Sequence, residues 1–428
     1  MVVEDNVNSK EREKVVTRHV KDYYGNHLQE METAYDYYLG SLDKKFNDTY
    51  SVKSESMLDD QLANVEILIL TANQVETGVL HSWICRVDND HLVGKTITRI
   101  MKGDITYYFF RWGNYNMVNI WAGMTGSNTA RGSSKTLRKV LEEHRFQMIL
   151  SLGVAFGIDW EKENLGDVIV SSRVMSYSMG SKATNQEMVI KNPHIFETSP
   201  WLVERMRQKR NFFHDPKRNY KVIFGDVITG ESVVDDFDFR KKIVDAVPSN
   251  NIIGGEMEGY GLFDECTEKE IPCAVIKGIC DWGIGKNGLS NDPIENDSMK
   301  DSLQAYAMLN VLNACDDLFR DSHLFKGHVE HDFLKDPILG KYVRNNKLLA
   351  FIYRYQSLFY LAINLTFVLI GLYRLLQGIR YDFNATVVIS VTAIVVVCTA
   401  VIASVFKKQR KIIKRVLDFL NGGKETDN

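Results

Sequence analysis

Residues Gly254–Phe263 read GGEMEGYGLF, in which two acidic side chains flank a methionine and glycines stand on either side. Glu256 and Glu258 are two positions apart, so both side chains point to the same side of a chain that leaves a strand. Acidic side chains are rarely buried in a hydrophobic core, so two carboxylates among glycines do not indicate a core segment. A site that binds a small polyhydroxyl ligand does, and we therefore expect the two acids to belong to such a site.

Apolar runs recur on both sides of this stretch and predict the strands of an α/β fold with a largely parallel central sheet. The first run, VEILILTA at residues 65–72, is continuous and ends in polar residues, as a buried parallel strand does. Similar runs lie at Met148–Leu152, Val168–Ser171, Tyr220–Phe224, Ile252–Ile253 and Cys273–Ile279. Helices are predicted at Asn128–His144, Met257–Lys269 and Ser298–Phe319.

The composition excludes several classes of protein. The 428 residues include 52 basic and 55 acidic ones, so there is no basic excess that would indicate a nucleic-acid partner. The six cysteines form neither a CxxC pair nor a zinc-finger spacing, which favours a reducing cytoplasmic compartment. Asp235, Asp236 and Asp238 lack a patterned ligand set, so we expect no metal site and no cofactor. The first residues, MVVEDNVNSKEREK, lack the apolar core of a signal peptide.

The chain divides by composition into five segments. Residues 1–60 are charged and contain recurring tyrosines, which predicts a mostly helical N-terminal extension that docks on another surface. Residues 61–325 carry the α/β pattern. They are followed by a linker at 326–350, two apolar segments with a basic flank at 351–416, and a polar tail at 417–428.

The two apolar segments predict a transmembrane hairpin. Ser357–Tyr373 and Ala385–Phe406 contain no charged residue, and a spanning helix needs roughly 20 apolar residues. Basic residues concentrate outside the pair, above all in the run KKQRKIIKR at 407–415, which also suits anionic lipid headgroups. The positive-inside rule then predicts a multi-pass inner-membrane protein whose N-terminus, α/β domain and C-terminus are cytoplasmic.

Four stretches extend the pattern along the chain: LTANQVE (70–76), SLGVAFGI (151–158), GGEMEG (254–259) and AVIKGICDWG (274–283). In this order they resemble the nucleoside phosphorylase/nucleosidase superfamily, which includes methylthioadenosine/S-adenosylhomocysteine nucleosidases. The resemblance covers about residues 65–320. It implies a three-layer domain around a mostly parallel sheet, a purine nucleoside or nucleotide as substrate, and assembly into a dimer or higher homo-oligomer.

Cleavage of a ribosyl–base bond needs a carboxylate near the sugar hydroxyls, an acid for the departing base and a nucleophile on the opposite face. The resemblance implies that Glu258 binds the ribose hydroxyls, that Met257 packs on the apolar face of the sugar, and that Glu256 supports them. Asp281 corresponds to the general acid that protonates the purine at N7. The alternatives are an acidic helix N-terminus for GGEMEG and a turn-capping role for Asp281.

Glu76 decides the subclass of enzyme. It falls where the nucleosidases place the glutamate that activates water, and the stretch TANQVE lacks the Gly and Arg with which phosphorylases bind phosphate. The resemblance therefore implies hydrolysis, and the alternative reading of Glu76 is a surface acid at a helix start. Arg131, in the Gly-rich stretch AGMTGSNTARG at 122–132, keeps phosphorolysis open, because such a loop before a helix binds anions.

Three positions depart from the family pattern. Val154 lies in the ribose-binding string, Ile228 lies where an aromatic side chain usually meets the base, and Lys277 stands where an arginine is common. The resemblance implies that all three contact the substrate.

The basic stretch ERMRQKRNFFHDPKR at 204–218 has two readings. It is either a solvated helix face or a phosphate-binding group for a nucleotide substrate, because guanidinium groups match phosphate oxygens. Arg205, Arg207 and Arg210 are the candidates for phosphate binding.

The combined architecture is similar to effectors of bacterial anti-phage systems, in which a nucleosidase destroys a nucleotide pool after a trigger. The leading hypothesis is a membrane-anchored purine nucleosidase that responds to an activating nucleotide signal. Two alternatives stay open. One is a nucleotide sensor whose hairpin oligomerises and disrupts the membrane, and the other is a purine nucleoside phosphorylase.

Overall fold

The structure is a computed structural model that describes residues 9–325, apart from residues 44–45, 47, 87–95, 123–131, 178–180, 185–186, 191–192 and 213–217. The predicted linker, transmembrane hairpin and polar tail, residues 326–428, lie outside the described residues, as does Arg131. The predicted domain boundaries and the hairpin therefore stay predictions. In the part of the chain that is described, no helix is long and apolar enough to span a bilayer.

Thirteen strands have described bounds. They are β1 (Tyr50–Val52), β2 (Ile67–Thr71), β3 (Ile97–Lys102), β4 (Ile105–Trp112), β5 (Tyr115–Trp121), β6 (Met148–Phe156), β7 (Val168–Ser176), β8 (Ser181–Thr184), β9 (Glu187–Ile190), β10 (Ile195–Glu197), β11 (Val222–Thr229), β12 (Ile252–Glu256) and β13 (Cys273–Asp281). Eleven of them form one sheet in the order β1-β3-β4-β5-β2-β6-β12-β11-β7-β10, with β13 paired to β6 and β7. β8 and β9 form a separate two-stranded sheet.

Nine α-helices are described in the same residues. They are α1 (Ser9–Asn26), α2 (Leu28–Leu42), α3 (Leu58–Leu62), α4 (Gln74–Arg86), α5 (Ser133–Glu143), α6 (Pro200–Arg207), α7 (Phe237–Ala246), α8 (Gly259–Glu268) and α9 (Pro293–Arg320), with 3₁₀ turns at Glu55–Met57 and Arg210–Phe212. Helices α2, α4 and α9 contact one another, and α5 contacts α8. Both α8 and α9 pack on β6 and β13.

The predicted α/β fold is confirmed, and each of the six predicted strands occurs. Every residue of β2 is buried, which explains why its sequence is a continuous apolar run rather than an alternating one. The central pairings of β2 with β6, β6 with β13, β7 with β11 and β11 with β12 are parallel.

The sheet is less parallel than predicted. β3, β4 and β5 form an antiparallel meander that the sequence reading missed, and β10 also pairs antiparallel with β7. Gly103 and Gly113, with φ of 59° each, lie in the two tight turns of the meander. A connection this short can join only antiparallel strands, and a glycine provides the left-handed conformation that it needs.

The N-terminal segment forms helices that pack on the α/β domain. Val16 and Val20 of α1 and Met31 of α2 are buried in the main core. Helix α1 also lies against the loop that follows β13, where Thr17 Oγ1 is so close to Gly285 that a Cβ there would be 2.5 Å away. The charged composition of this segment therefore describes its outer face, while a few apolar positions attach it to the domain.

The sheet brings the sequence motifs to one edge. β2 and β13 both run parallel to β6, and Lys277 of β13 lies opposite Gly153 of β6. β12 meets β6 where Gly255 pairs with Phe156. Because the carboxyl ends of parallel strands lie at the same edge, the segments that follow β2, β6 and β13 meet there.

Candidate active site

Glu76 lies in the first turn of α4, shortly after β2. The side chain of Asn73 accepts a hydrogen bond from the N–H of Glu76 (2.8 Å), and Glu76 Oε2 accepts from the N–H groups of Ala72 (2.6 Å) and Asn73 (3.2 Å). The sequence TANQVE therefore forms a reciprocal cap that satisfies free donors at the helix start. The other oxygen, Oε1, accepts from the N–H of Val154 on β6 (2.8 Å). Glu76 is only 1% exposed, so the alternative reading as a surface acid is wrong.

Gly153 makes room for this carboxylate. A Cβ at position 153 would lie 2.1 Å from Glu76 Oε1, far inside van der Waals contact. A glycine inside a strand is a recognised signal of such a close approach. The sequence reading did not assign Gly153 a role, although this signal was present in SLGVAFGI.

Lys277 is fully buried in β13 between two acidic side chains. Its ammonium lies 3.3 Å from Glu258 Oε2 and 3.8 Å from Glu76 Oε1. Burial disfavours the charged form of Lys277, but the negative charges of Glu76 and Glu258 outweigh it and hold the pKa of Lys277 above its ordinary value. Burial likewise raises the pKa of Glu76, and the charge of Lys277 opposes that rise.

Glu256 holds the start of helix α8. Its carboxylate accepts hydrogen bonds from the N–H of Glu258 (2.9 Å) and from the N–H of Gly259 (2.9 Å to Oε2). Burial, followed by the negative charge of Glu258, raises the pKa of Glu256 above its ordinary value. Of the two acids in GGEMEG, Glu256 therefore has the alternative role, that of an acidic residue that stabilises a helix N-terminus. Glu258 instead faces Lys277 and is the carboxylate that remains for a ligand.

Asp281 ends β13, and 22% of its side chain is exposed. Its Oδ1 accepts a hydrogen bond from the N–H of Gly283 (2.6 Å), which is the predicted turn-capping arrangement. Its Oδ2 lies 3.2 Å from Lys286 Nζ in the same loop. The capping role thus uses only Oδ1, while Oδ2 contacts Lys286 and also accepts from the thiol of Cys280 (3.3 Å). Lys286 was not singled out from the sequence, because a lysine in a glycine-rich loop carries no distinctive pattern.

The remaining predicted substrate contacts fall in different environments. Met257 and Val154 are half-buried, and Val154 contributes its backbone N–H to Glu76. Ile228 is fully buried in a small apolar cluster that includes Phe156 and Tyr177. In this conformation its neighbours shield Ile228 from solvent, so the structure does not bring it to an open surface of the site.

The basic stretch is not brought to the carboxylates. Arg205 and Arg207 lie on α6, and the guanidinium of Arg207 stacks on the ring of Phe224, 4.4 Å from its centroid. Phe224 is five residues before Thr229, the residue of β11 that pairs with Glu256. At about 3.3 Å per residue these positions are roughly 16 Å apart along the strand. The side chain of Arg210 lies outside the described part of the structure.

The geometry gives two carboxylates different environments. Glu76 is buried and receives three backbone N–H groups beside a lysine, whereas Asp281 is half-buried at the end of a strand. Such differences in environment are how proteins assign base and acid roles to carboxyl groups. Among residues with described positions, no three His, Cys, Asp or Glu side chains are grouped as metal ligands would be.

A family model described as the phosphorylase superfamily matches residues 66–309, more than half of the chain. The chain belongs to this superfamily. Glu76, Glu258, Lys277 and Asp281 all lie within the matched residues of this phosphorylase-superfamily domain, whereas helices α1 and α2 precede them.

Two curated relatives of this superfamily chain are named nucleosidases. It is 26% identical over 266 residues to a death domain-containing ATP nucleosidase from Amphimedon queenslandica, with 56% of this chain and 48% of that protein covered. It is 25% identical over 176 residues to the 5′-methylthioadenosine/S-adenosylhomocysteine nucleosidase of Staphylococcus aureus (strain MRSA252), with 40% of this chain and 74% of that protein covered. The chain thus spans about half the length of the first relative. These relatives support the predicted class of enzyme, an N-glycosidic bond hydrolase.

A similar solved structure is the 5′-methylthioadenosine/S-adenosylhomocysteine nucleosidase from Neisseria meningitidis in complex with methylthio-immucillin-A. It shares 16% sequence identity with this superfamily chain at a TM-score of 0.46, covering 60% of this chain and 98% of that one.

Proposed function

We propose that this chain hydrolyses the N-glycosidic bond of a purine nucleoside or nucleotide. The observation that carries the proposal is the Glu76 carboxylate, buried and fixed by three N–H groups, at the same sheet edge as the partly exposed Asp281. Lys277 and Asp281 lie on one strand, four residues or roughly 13 Å apart. In this proposal Glu76, which activates water, and Asp281, which protonates the departing base, act at opposite ends of the sugar.

In the proposed reaction Glu76 takes a proton from a water molecule, whose oxygen forms the new bond to C1′ of the ribose. The bond from C1′ to the base breaks, and its electron pair leaves with the base. Asp281 supplies the proton that neutralises the base and regains a proton from solvent, while the proton held by Glu76 returns to solvent. Glu258 binds the ribose hydroxyls, and Lys277 pairs with one oxygen of its carboxylate.

Hydrolysis is favoured over phosphorolysis by the charges around Glu76. Lys277 is the buried cation nearest to Glu76 among the described ion pairs, and Glu76 and Glu258 already neutralise it. A phosphate dianion placed beside these two carboxylates would meet net negative charge and would be repelled.

The nucleotide form of the substrate and the cellular role are further parts of the proposal. The relative that is named an ATP nucleosidase supports a nucleotide substrate. Anchoring by a hairpin at 351–416, inner-membrane location, homo-oligomerisation, an activating nucleotide signal and a role in anti-phage defence follow from the sequence architecture alone. They are proposed on that basis.

The test is release of free base by the full chain from adenosine, methylthioadenosine, ATP and NAD, with and without inorganic phosphate. We expect release that does not depend on phosphate, and a loss of about 10²-fold to 10⁴-fold in Glu76→Gln and in Asp281→Asn. Release that requires phosphate and yields a sugar phosphate would establish a phosphorylase instead. Nucleotide binding without any turnover would favour the sensor.

A further inference from the structure

A line of hydrogen bonds runs through the interior from the edge strand β1 toward the turn that holds Glu76. It begins at Tyr50, whose hydroxyl lies 2.9 Å from Nδ1 of His81 on α4. The other ring nitrogen of His81, Nε2, lies 3.0 Å from Oδ1 of Asn119 on β5. Hydrogen bonds therefore connect polar side chains of β1, α4 and β5 one after another.

The same line continues from Asn119 to the catalytic turn. Asn119 Nδ2 donates to Thr71 Oγ1 at the end of β2 (3.0 Å), and Thr71 Oγ1 lies 2.8 Å from Thr77 Oγ1. Thr77 Oγ1 donates to the carbonyl oxygen of Asn73 (2.9 Å). Asn73 in turn donates its N–H to Glu76 Oε2 and caps the Glu76 N–H with its side chain.

The donor and the acceptor of each bond in the line follow from its last bond. The single hydroxyl hydrogen of Thr77 goes to Asn73 O, so the hydroxyl of Thr71 must donate to Thr77. Thr71 Oγ1 accepts from the amide of Asn119, whose Oδ1 therefore accepts from Nε2–H of His81. The remaining nitrogen, His81 Nδ1, is then an acceptor, and the hydroxyl of Tyr50 donates to it.

This assignment requires a neutral imidazole, which the surroundings favour. His81 is 2% exposed, and burial lowers its pKa to about 4, with the Asn119 contact opposing that shift. A neutral His81 with its hydrogen on Nε2 keeps every bond of the line pointing from Tyr50 toward Asn73.

Buried polar groups must find partners to be tolerated, and that alone explains why Thr71, His81 and Asn119 are paired. The last bond, from Thr77 to the carbonyl oxygen four residues earlier, is one that helical threonines often make, and here it ends on Asn73, the residue that both caps Glu76 and binds its carboxylate. A buried network with every donor and acceptor used holds its members in one arrangement.

We propose that Tyr50, His81, Asn119, Thr71 and Thr77 form a positioning relay that fixes the Ala72–Asn73 turn and, through it, the orientation of the Glu76 carboxylate. The inference rests on the proposed function in that Glu76 is the group that activates water. Tyr50 precedes the residues matched by the superfamily model, 66–309, so the relay also attaches the N-terminal segment of this chain to the catalytic turn.

The test compares Thr71→Val with Thr71→Ser in the full chain. Valine has nearly the shape of threonine but lacks the hydroxyl, whereas serine keeps it. For base release we expect Thr71→Val to lower kcat by roughly 10-fold to 100-fold with KM within about twofold, since a small misplacement of a catalytic group has effects of this size. Thr71→Ser is expected to restore most of kcat. Tyr50→Phe, which breaks the line at its far end, is expected to lower kcat by a smaller factor in the same direction.

Hydrogen exchange separates this inference from the proposed function. The N–H groups of Ala72 and Asn73 are bonded to Glu76, so their exchange reports on the turn without any substrate. We expect faster exchange at both amides in Thr71→Val than in Thr71→Ser. Equal exchange and equal kcat in the two variants would overturn the relay. A wild-type chain that releases no base would overturn the proposed function, and the exchange comparison would still decide the relay. If Thr71→Val does not fold, Tyr50→Phe provides the same comparison against wild type.

Discussion

Replacing Lys277 by methionine removes the buried cation that faces the catalytic carboxylate. Methionine has a similar length and fills the space with apolar atoms, so the main change is electrostatic. The ammonium of Lys277 lies 3.8 Å from Glu76 Oε1. At an effective dielectric constant of about 20, unit charges at this distance attract with about 4 kcal/mol. Without this attraction the pKa of Glu76, already raised by burial, should rise further.

The assay is the pH dependence of kcat/KM for base release, which reports the ionisation of the free enzyme. Glu76 must be ionised to take a proton from water, so a higher pKa moves the acidic limb of the profile to higher pH. We expect the limb to move to higher pH in Lys277→Met, by less than the attraction between Lys277 and Glu76 alone would give, because Glu258 also draws on the same cation. Lys277→Arg keeps the charge and serves as the matched control, with its acidic limb near that of wild type.

Stability gives a second readout with a definite sign. Removing one partner of a buried ion pair costs about 3–5 kcal/mol, because the other charge is left uncompensated. A carboxyl whose pKa is raised by folding binds its proton more tightly in the folded state, so stability falls as pH rises from the unfolded value toward the folded one. The free energy of unfolding of Lys277→Met should therefore fall further below wild type at pH 8 than at pH 5. The electrostatic account of Lys277 would be refuted if Lys277→Met lost the same free energy of unfolding at pH 5 and pH 8 and its acidic limb did not move.

Two further predictions concern Asp281, the proposed acid, and the space around Glu76, the proposed catalytic base. In Lys286→Gln the cation 3.2 Å from Asp281 Oδ2 is lost, so this oxygen loses the charged partner that orients it and kcat/KM for base release should fall, whereas Lys286→Arg should stay near wild type; equal values in the two variants would contradict the pairing. In Gly153→Ala the new Cβ would meet Glu76 Oε1 at 2.1 Å, and we expect kcat to fall by about 10²-fold, measured beside Gly25→Ala, where nothing lies within 4 Å. Equal kcat in the two alanine variants would show that Glu76 can move without cost.

The elements of the fold were largely predictable, and the errors have identifiable causes. Buried parallel strands such as β2 and β13 are continuous apolar runs, which a sequence shows directly. The meander of β3, β4 and β5 was missed, although its turns, Gly103–Asp104 and Gly113–Asn114, are dipeptides typical of hairpins. Attention to apolar runs alone therefore underestimates antiparallel strands, whose outward positions are polar.

The sequence named the candidate residues of the site but not the contacts between them. The resemblance placed Glu76, Glu258 and Asp281, yet nothing in the sequence indicated that Lys277 lies between two of these acids. That contact depends on the register of β13 against β6, which puts Lys277 opposite Gly153. Ile228 shows the opposite error, because a position matched by family pattern turned out to be enclosed by its own neighbours.

The two carboxylates that we propose as base and acid each face a lysine, but in different surroundings. Lys277 is fully buried between Glu76 and Glu258, where separation from either acid would leave a buried charge uncompensated. Lys286, by contrast, is 25% exposed and follows Gly285, which has a φ of 69°. The charge of Lys286 is therefore partly screened by solvent, whereas the charge of Lys277 is not. The proposed base and the proposed acid thus differ in the burial of their ion pairs, and a comparison of the Lys277 and Lys286 variants would separate the two contributions.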